Sequence, residues 1–469
     1  MRFIHTGDWH IGKIVNDFNL MNDQRQVLAQ LVDILKQQKV DALVIAGDIY
    51  DRSVPPVEAV ELVDSIFTQI LQEVGVPILV IAGNHDGAGR LDFASSILTK
   101  NGLHIAGRIT EPIKKIVLGD EHGPVNFYLL PYDDPRSIKN FYCGRSTDAT
   151  SGTNTTSCAD ATSSANRTGG YNTTSGADAK SSAHGTSGSG TTIGDNTTSS
   201  ADTIQAESSD SQVDNIRLSD QLKGHEEMRA THDSVMQFLT SRIKENLNTD
   251  ERNVLVTHAY VTQFGEQTEQ CESERPLSIG GTDFVDPKYF DMFHYTALGH
   301  LHRRQKAGSE KIRYSGSLMK YSFSEADHKK GVELVELDEV GNVQVTHIPL
   351  VAQKDMRIIR GPVKELVSPE VYSTANTEDY VYAILTDNDE LLDPISKLRS
   401  VYPNIMGLRR EIERTQKDSK TSASEGYKTK TKLELFEEFY MSIEGNELDD
   451  DSKSVLRDII EEVEKGEMA

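Results

Sequence analysis

Four short clusters set carboxylate, amide and imidazole side chains at tight spacing: Gly7-Asp8-Trp9-His10, Gly47-Asp48-Ile49-Tyr50-Asp51, Gly83-Asn84-His85-Asp86 and Gly299-His300-Leu301-His302. His258 lies between the third and the fourth. Carboxylate oxygen, amide oxygen and neutral imidazole together, with no thiolate among them, suit hard-to-borderline divalent cations. Mn²⁺ fits best, and Mg²⁺, Fe²⁺ or Zn²⁺ are compatible. Two such ions about 3.5–4 Å apart need a bridging carboxylate, and they activate water while stabilising both oxygens of an in-line displacement at phosphorus. Asp48 is the expected bridge. His300 and His302 are two residues apart, so on an extended segment both rings point to one side and one can serve each metal.

A single Gly-Asp-x-His carries little weight, because Asp after Gly also caps helices. The elements leading into the clusters carry more. Phe3-Ile4 runs into Asp8, Leu43-Val44-Ile45 into Asp48, Ile78-Leu79-Val80-Ile81 into Asn84, and Val254-Leu255-Val256 into His258. Unalternated apolar runs of strand length read as strands buried on both faces. In open α/β sheets ligands gather at the carboxyl ends of the strands, so the candidate ligands are expected to converge on one edge. His5, His104, His294, His328 and His347 are read as structural, and Cys143, Cys158 and Cys271 fall outside every cluster.

The order Gly-Asp-x-His, Gly-Asp-x-x-Asp, Gly-Asn-His-Asp, single His, Gly-His-x-His resembles the calcineurin-like metallophosphoesterases. The run His5-Thr6-Gly7-Asp8-Trp9-His10-Ile11-Gly12-Lys13, taken with Gly299-His300-Leu301-His302, is similar to the SbcD-type nuclease subunits within that superfamily. The similarity covers residues 1–142 and resumes from about 216. The resemblance implies an α/β fold, a two-sheet metallophosphoesterase sandwich flanked by helices, with a small α+β capping domain and C-terminal helices. It implies that Asp8, His10, Asp48 and His302 hold one metal and Asp48, Asn84, His258 and His300 the other. It leaves His85 free to protonate the departing oxygen, with Asp86 to orient it, a role an imidazole near neutral pKa can fill. Asp51 stands where archaeal and eukaryotic relatives carry His, and is expected behind the ligands. The partners implied are DNA and an SbcC-like coiled-coil ATPase, with a homodimer inside a heterotetramer.

Composition complicates this reading. The 469 residues carry 49 Lys and Arg against 73 Asp and Glu, a formal charge of −24, which argues against gripping a polyanion by overall field. Local cations ease the conflict: Arg303 and Arg304 are the first candidates for phosphate contact, with Arg52 and Arg90 beside the other loops and Lys13 and Lys306 nearby. No P-loop occurs, so ATP would bind the partner. Three unpatterned cysteines, no charged-then-apolar leader and no run of transmembrane length place the protein in the cytoplasm as an expectation.

Six segments are expected: a first phosphoesterase part at 1–143, an insertion at 144–215, a second phosphoesterase part at 216–355, a capping domain at 356–414, a linker at 415–430, and partner-binding helices at 431–469. The insertion is built of Ser, Thr, Gly, Ala, Asn and Asp, with Asn-Thr-Thr-Ser-x-Ala-Asp repeated from Asn154, Asn172 and Asn196. Such a segment cannot bury a core and is expected to be disordered. It precedes a predicted helix bearing Leu218, Leu222, Met228, Val235, Phe238 and Leu239. Lys311–Ser317 and the alternating Val332–Leu337 read as strands completing the second sheet of the sandwich. Tyr380–Leu385 reads as a capping strand, followed by a helix started by Asp393-Pro394. In the tail, Leu433, Phe436, Tyr440 and Ile443 line one helix behind a Thr431/Glu434 capping box, and Leu456, Ile459, Ile460 and Val463 line another. The combined expectation is a metal-dependent DNA exonuclease and endonuclease subunit. A small-substrate phosphoesterase on the same dimetal site is the alternative, and a non-catalytic scaffold a third reading.

Overall fold

The computed structural model describes residues 1–144, 230–262, 270–274, 277, 284–389, 391–411, 431–444, 448–449, 452–457 and 459–460. Two six-stranded sheets make up most of it. The first runs, edge to edge, Val343–Pro349, Gly331–Leu337, Arg2–Thr6, Ala42–Ile45, Ile78–Ile81 and Leu103–Ala106, parallel over its last four strands and antiparallel over the first two pairings. The second runs Gln305–Ala307, Ser309–Tyr314, Tyr295–Gly299, Arg252–His258, Gly123–Leu130 and Lys115–Asp120, parallel in the middle and antiparallel at both edges.

The unalternated apolar runs follow from this layering. Successive strand residues point to opposite faces. Phe3, Val44, Leu79 and Ile81 point inward to Phe127, Leu129, Val254 and Val256 of the other sheet, and the Phe3 ring meets Phe127 edge-on at 5.4 Å. Their neighbours Ile4, Leu43, Ile45 and Val80 point outward onto Leu28, Leu31, Leu62 and Ile66 of the helices Met21–Gln38 and Val57–Gln69. Leu255, Leu298 and Ile312 do the same toward Val235, Leu239 and Ile243 of the helix His232–Glu245. Each such side chain contributes roughly 1.5–3 kcal/mol by burial. The result is a helix–sheet–sheet–helix sandwich.

One expectation is corrected. Gly331–Leu337 does not complete the second sheet: it pairs antiparallel with Arg2–Thr6 in the first, Ile4 opposite Leu334, whereas Ser309–Tyr314 joins the second sheet as expected. Alternation along Val332–Leu337 sets Glu333 and Glu336 among apolar residues. Glu333 is nevertheless fully buried, its carboxylate taking Arg304 and His347, and its partnering rather than solvent exposure makes the polar residue tolerable.

A smaller unit follows, three parallel strands in the order Met356–Gly361, Tyr380–Leu385, Ile405–Arg410. Ile359, Val381, Ala383 and Leu385 bury one face against Leu366, Leu398 and Tyr402. Asp393 caps the helix Pro394–Arg399 by accepting from the Ser396 N–H at 3.3 Å. The Tyr380 hydroxyl donates to Asp23 at 2.7 Å and ties this unit to the sandwich. Farther on, the helix Lys432–Glu444 starts on the Thr431/Glu434 capping box: the Thr431 N–H donates to the Glu434 carboxylate at 2.7 Å, and the Glu434 N–H to the Thr431 hydroxyl at 3.3 Å. The insertion from 145 onward, the linker at 415–430, Leu218, Leu222, Met228 and Val463 lie outside the described residues. No helix among the described residues is long and apolar enough to cross a membrane.

Candidate metal centre

Five strands of the two sheets end at one edge, and the clusters are the loops that leave them. Asp8 and His10 follow Arg2–Thr6, Asp48 and Asp51 follow Ala42–Ile45, and Asn84, His85 and Asp86 follow Ile78–Ile81. His258 ends its strand, and His300 and His302 follow Tyr295–Gly299. The backbone there is strained. Asp8, His10, Asp48 and His300 have φ of 51°, 45°, 52° and 108°, so four of the nine described non-glycine residues at positive φ are candidate ligands. Such conformations cost of order 1–3 kcal/mol each and persist where the surroundings over-determine them. Gly83 is glycine by necessity, because a Cβ there would stand 2.1 Å from Asp48 Oδ1.

The side chains converge in overlapping groups, one of which sets Asp51 and His85 beside His10. Asp8, His10 and His302 offer ligand atoms that all lie within 4.8 Å of one another, and so do Asp8, Asp48 and His258. Asp48 Oδ2 lies 3.6 Å from His10 Nε2 in one group and 3.6 Å from His258 Nε2 in the other. Asn84 joins through its Oδ1, 2.9 Å from His258 Nε2. His300 joins through its backbone N–H, which donates to Asp8 Oδ1 at 2.9 Å, and its ring lies 5.5 Å from that of His258.

Proton bookkeeping tests whether cations fit. His258 Nδ1 donates to the Ala46 carbonyl at 2.9 Å, which leaves a bare lone pair on Nε2 facing the Asn84 oxygen. The Ser273 hydroxyl donates its one proton to Glu325 and accepts from His302 Nδ1 at 2.8 Å, which leaves His302 Nε2 bare as well. That nitrogen stands 3.0 Å from His10 Nε2, and His10 Nδ1 has no hydrogen-bond partner. The bare Nε2 lone pairs of His258 and His302, set beside Asn84 and His10, suit a metal ion.

Electrostatics agree. Burial, then the neighbouring imidazoles His302 and His85, hold His10 well below its ordinary pKa; burial, then His258 and His302, do the same for His300. Burial lowers His258 against the pull of Asp48. All three are thereby kept neutral, the form that ligates. Burial, then the Asp48 charge, pushes Asp8 well above the carboxylate range and Asp86 up to about 7. Carboxylates packed this closely in a dry site call for positive charge.

The Gly-Asp-x-His to Gly-Asn-His-Asp portion is matched by a family model: Calcineurin-like phosphoesterase covers residues 1–147. A second model, the Type 5 capsule protein repressor C-terminal domain of the SbcD C-terminal family, covers residues 352–443. The chain joins a calcineurin-like phosphoesterase domain to an SbcD-type C-terminal domain. Among solved structures, it is similar to a dimetal phosphatase from Danio rerio, at 10% identity over 75% of this chain and 97% of that one, with a TM-score of 0.35. The phosphoesterase domain implies two divalent metals, and the donor set above fits them.

His85 differs in its support from what the resemblance implied. Its Nδ1 donates to the Asp51 carbonyl at 2.8 Å and its backbone N–H to Asp48 Oδ1 at 2.8 Å. The Asp86 carboxylate instead accepts the backbone N–H groups of Ile49, Tyr50 and Gly83, so it fixes the loops rather than the ring. Asp51 orients His85 through its main chain, while its carboxylate takes Lys13 at 2.7 Å and lies 3.6 Å from Arg52.

The proposed phosphate contacts are more engaged than their sequence suggested. Arg304 is paired with buried Glu333, Arg90 donates to the Ser53 carbonyl at 3.1 Å, and Lys306 pairs with Glu310 at 2.9 Å. Arg303 is exposed beside His302. Sequence reasoning missed the group behind His302. Fully buried Glu325 accepts from Ser273 and Lys330, Lys330 also donates to the His302 carbonyl at 2.8 Å, and Glu274 accepts the His302 N–H at 2.6 Å. Burial opposes the Glu325 charge, yet Lys330 and then His302 hold its pKa well below the usual range. Gln24, which donates to the His10 carbonyl at 2.8 Å, was missed as well. No motif marks these positions.

Proposed function

We propose that this chain is a two-metal DNA nuclease subunit that hydrolyses phosphodiester bonds at double-strand ends and hairpins, working with an SbcC-like ATPase in repair and recombination. The observation that carries the reading is the pairing of a dimetal-type donor cage with an SbcD-type C-terminal domain on one chain. Asp8, His10, Asp48 and His302 would hold one ion and Asp48, Asn84, His258 and His300 the other, with Mn²⁺ the preferred metal. When bound, the two ions supply an activated water and the counter-charge for in-line displacement.

The chain's own residues do the rest. Asp48 stands between the two groups and holds the His85 N–H, so any shift of the bridge moves the candidate acid. The Asp51 carbonyl pins the His85 ring by Nδ1 and directs its second nitrogen to proton transfer. As the P–O bond breaks, a proton on Nε2 would pass to the leaving oxygen. Arg303 and Arg304 are assigned to phosphate contact, Arg304 only on exchange of its Glu333 partner.

The partner reading is supported by the tail. Leu435, Phe436, Phe439 and Met441 of the helix Lys432–Glu444 are exposed, Phe439 to 59%. A helix groove on a coiled-coil ATPase would cover them. Purified chain with Mn²⁺ should degrade linear duplex DNA, and a His85→Ala variant with full activity would refute the assigned acid. The small-substrate alternative is favoured by the charge: Lys13, Arg304 and Lys306 are paired with carboxylates, and the chain carries −24 overall. Turnover of p-nitrophenyl phosphate, bis-p-nitrophenyl phosphate and hairpin DNA compared side by side separates the two.

A further inference from the structure

A cleft of about 760 Å³ opens between the metal centre and the C-terminal sheet. One wall is the sheet face opposite its core, where Ile358, Tyr382, Ile384 and Arg409 stand in register. Among the described residues the short 3₁₀ helix Phe323–Glu325 packs against that sheet, and Ile358 stays 43% exposed. The Tyr382 ring lies against the backbone of Gly407, where a Cβ would come within 2.9 Å of Cε2, so glycine is what lets the ring sit low on the sheet. Phe323, from the sandwich, packs on it at 5.2 Å with the planes tilted by 46°. Arg409 is exposed at the rim, and Lys13 lies on the far side beside Asp51. Ser273 and Glu274 close the cleft toward the metal centre. The Glu274 carboxylate is engaged by the N–H groups of His302 and Cys271, and Ser273 touches His302 directly.

An aromatic pair with Arg409 at its rim offers what a strand of unpaired bases needs: stacking for the bases and positive charge for the phosphates. A duplex cannot use it, because its bases face each other. We propose that this cleft is a single-strand subsite beside the metal centre in which Tyr382 and Phe323 stack an unpaired DNA end, Arg409 meets its backbone, and Lys13 does so on exchange of its Asp51 partner. The proposal rests on the nuclease reading above and deepens it: the preferred substrate is a frayed or tailed end.

The test uses the full chain with Mn²⁺ and three substrates: a duplex with an unpaired oligothymidine tail, a blunt duplex, and bis-p-nitrophenyl phosphate. Tyr382→Ala should lower kcat/KM on the tailed duplex by roughly 5- to 100-fold, the range of one lost base stack. It should leave bis-p-nitrophenyl phosphate turnover unchanged, and Tyr382→Phe, which keeps the ring, should restore the tailed substrate. Wild-type behaviour of Tyr382→Ala on the tailed duplex would overturn the subsite while leaving the nuclease reading intact. A wild-type chain that turns over bis-p-nitrophenyl phosphate but no DNA would overturn both. Should Tyr382→Ala also lose the small substrate, Gly407→Ala decides: a selective loss on tailed DNA supports the subsite, and wild-type turnover there rejects it.

Discussion

The metal centre and the helix Lys432–Glu444 handle their side chains in opposite ways. At the centre, polar groups are buried and most are answered from within the chain: Asp8 by the His300 N–H, His258 by the Ala46 carbonyl, His302 by Ser273, Glu274 and Lys330, with His10 Nδ1 an exception. On the helix, apolar groups are partly exposed, Phe436 at 41% and Phe439 at 59%. The centre is complete apart from its ions. The helix is N-capped and carries its larger apolar side chains partly exposed. Catalytic geometry needs supporting residues that cannot shift, whereas partly exposed apolar side chains on a helix carry no such constraint.

Substitutions can break that contrast. Asp48→Ala removes an oxygen placed between both groups and should abolish turnover, a loss of at least about 10³-fold, with metal analysis falling below two ions per chain. Retention of both ions would mean that the two groups do not share this residue. His85→Ala should lower kcat by about 10²- to 10⁴-fold while both ions stay bound, because its ring is held by the Asp51 carbonyl and is not needed for the cage. Lys330→Met removes the counter-charge of buried Glu325 and the hold on the His302 carbonyl. A 10- to 100-fold loss of metal affinity or activity is expected, the usual cost of a lost supporting residue, read by metal titration.

The pH dependence bears on the centre alone. In the metal-free chain Asp86 sits at about 7 against 3.8 when free, so its protonated form favours the fold below that range and the contribution is lost as pH rises through 7. His10 and His300 run the other way. They are neutral in the fold but titrate near 6.5 when free, so stability is lost as pH falls below 6.5. Between 3.8 and 6.5 these two trends oppose each other and neither adds a slope above 7, so melting temperature without metal should level off on the alkaline side, whereas saturating Mn²⁺, which needs deprotonated ligands, should raise it more as pH increases; an Mn²⁺ effect independent of pH would contradict the burial of these groups. The smallest effect is expected on the helix. Phe439→Asp should change stability by no more than about 0.5 kcal/mol and leave bis-p-nitrophenyl phosphate turnover untouched, while weakening capture of a co-expressed coiled-coil ATPase. A large drop in melting temperature would show that the ring packs on its own chain.

Much of the centre was legible because its ligands sit in short runs at strand ends. An apolar run followed by Gly-Asp or Gly-Asn encodes both the strand and the turn that exposes the next side chain, and this information is local. Asp8, Asp48 and Asn84 could thus be set on one edge from their runs alone. The support for His302 was not legible, since Ser273, Glu325 and Lys330 come from separate segments with no spacing rule. Arg304 looked ready for phosphate until a buried Glu333 two strands away became its partner.

The amino-acid order by itself determined residue chemistry and strand-end placement, because both depend on near neighbours: hydrophobic runs, glycine turns, an i, i+2 pair of histidines. Only the tertiary structure decided which sheet Gly331–Leu337 joins, which carboxylates neutralise which cations, and which imidazole nitrogens are left bare. Those outcomes are set by pairing across large sequence separations and by burial, where a single buried charge must find its counterpart wherever the fold brings one within reach.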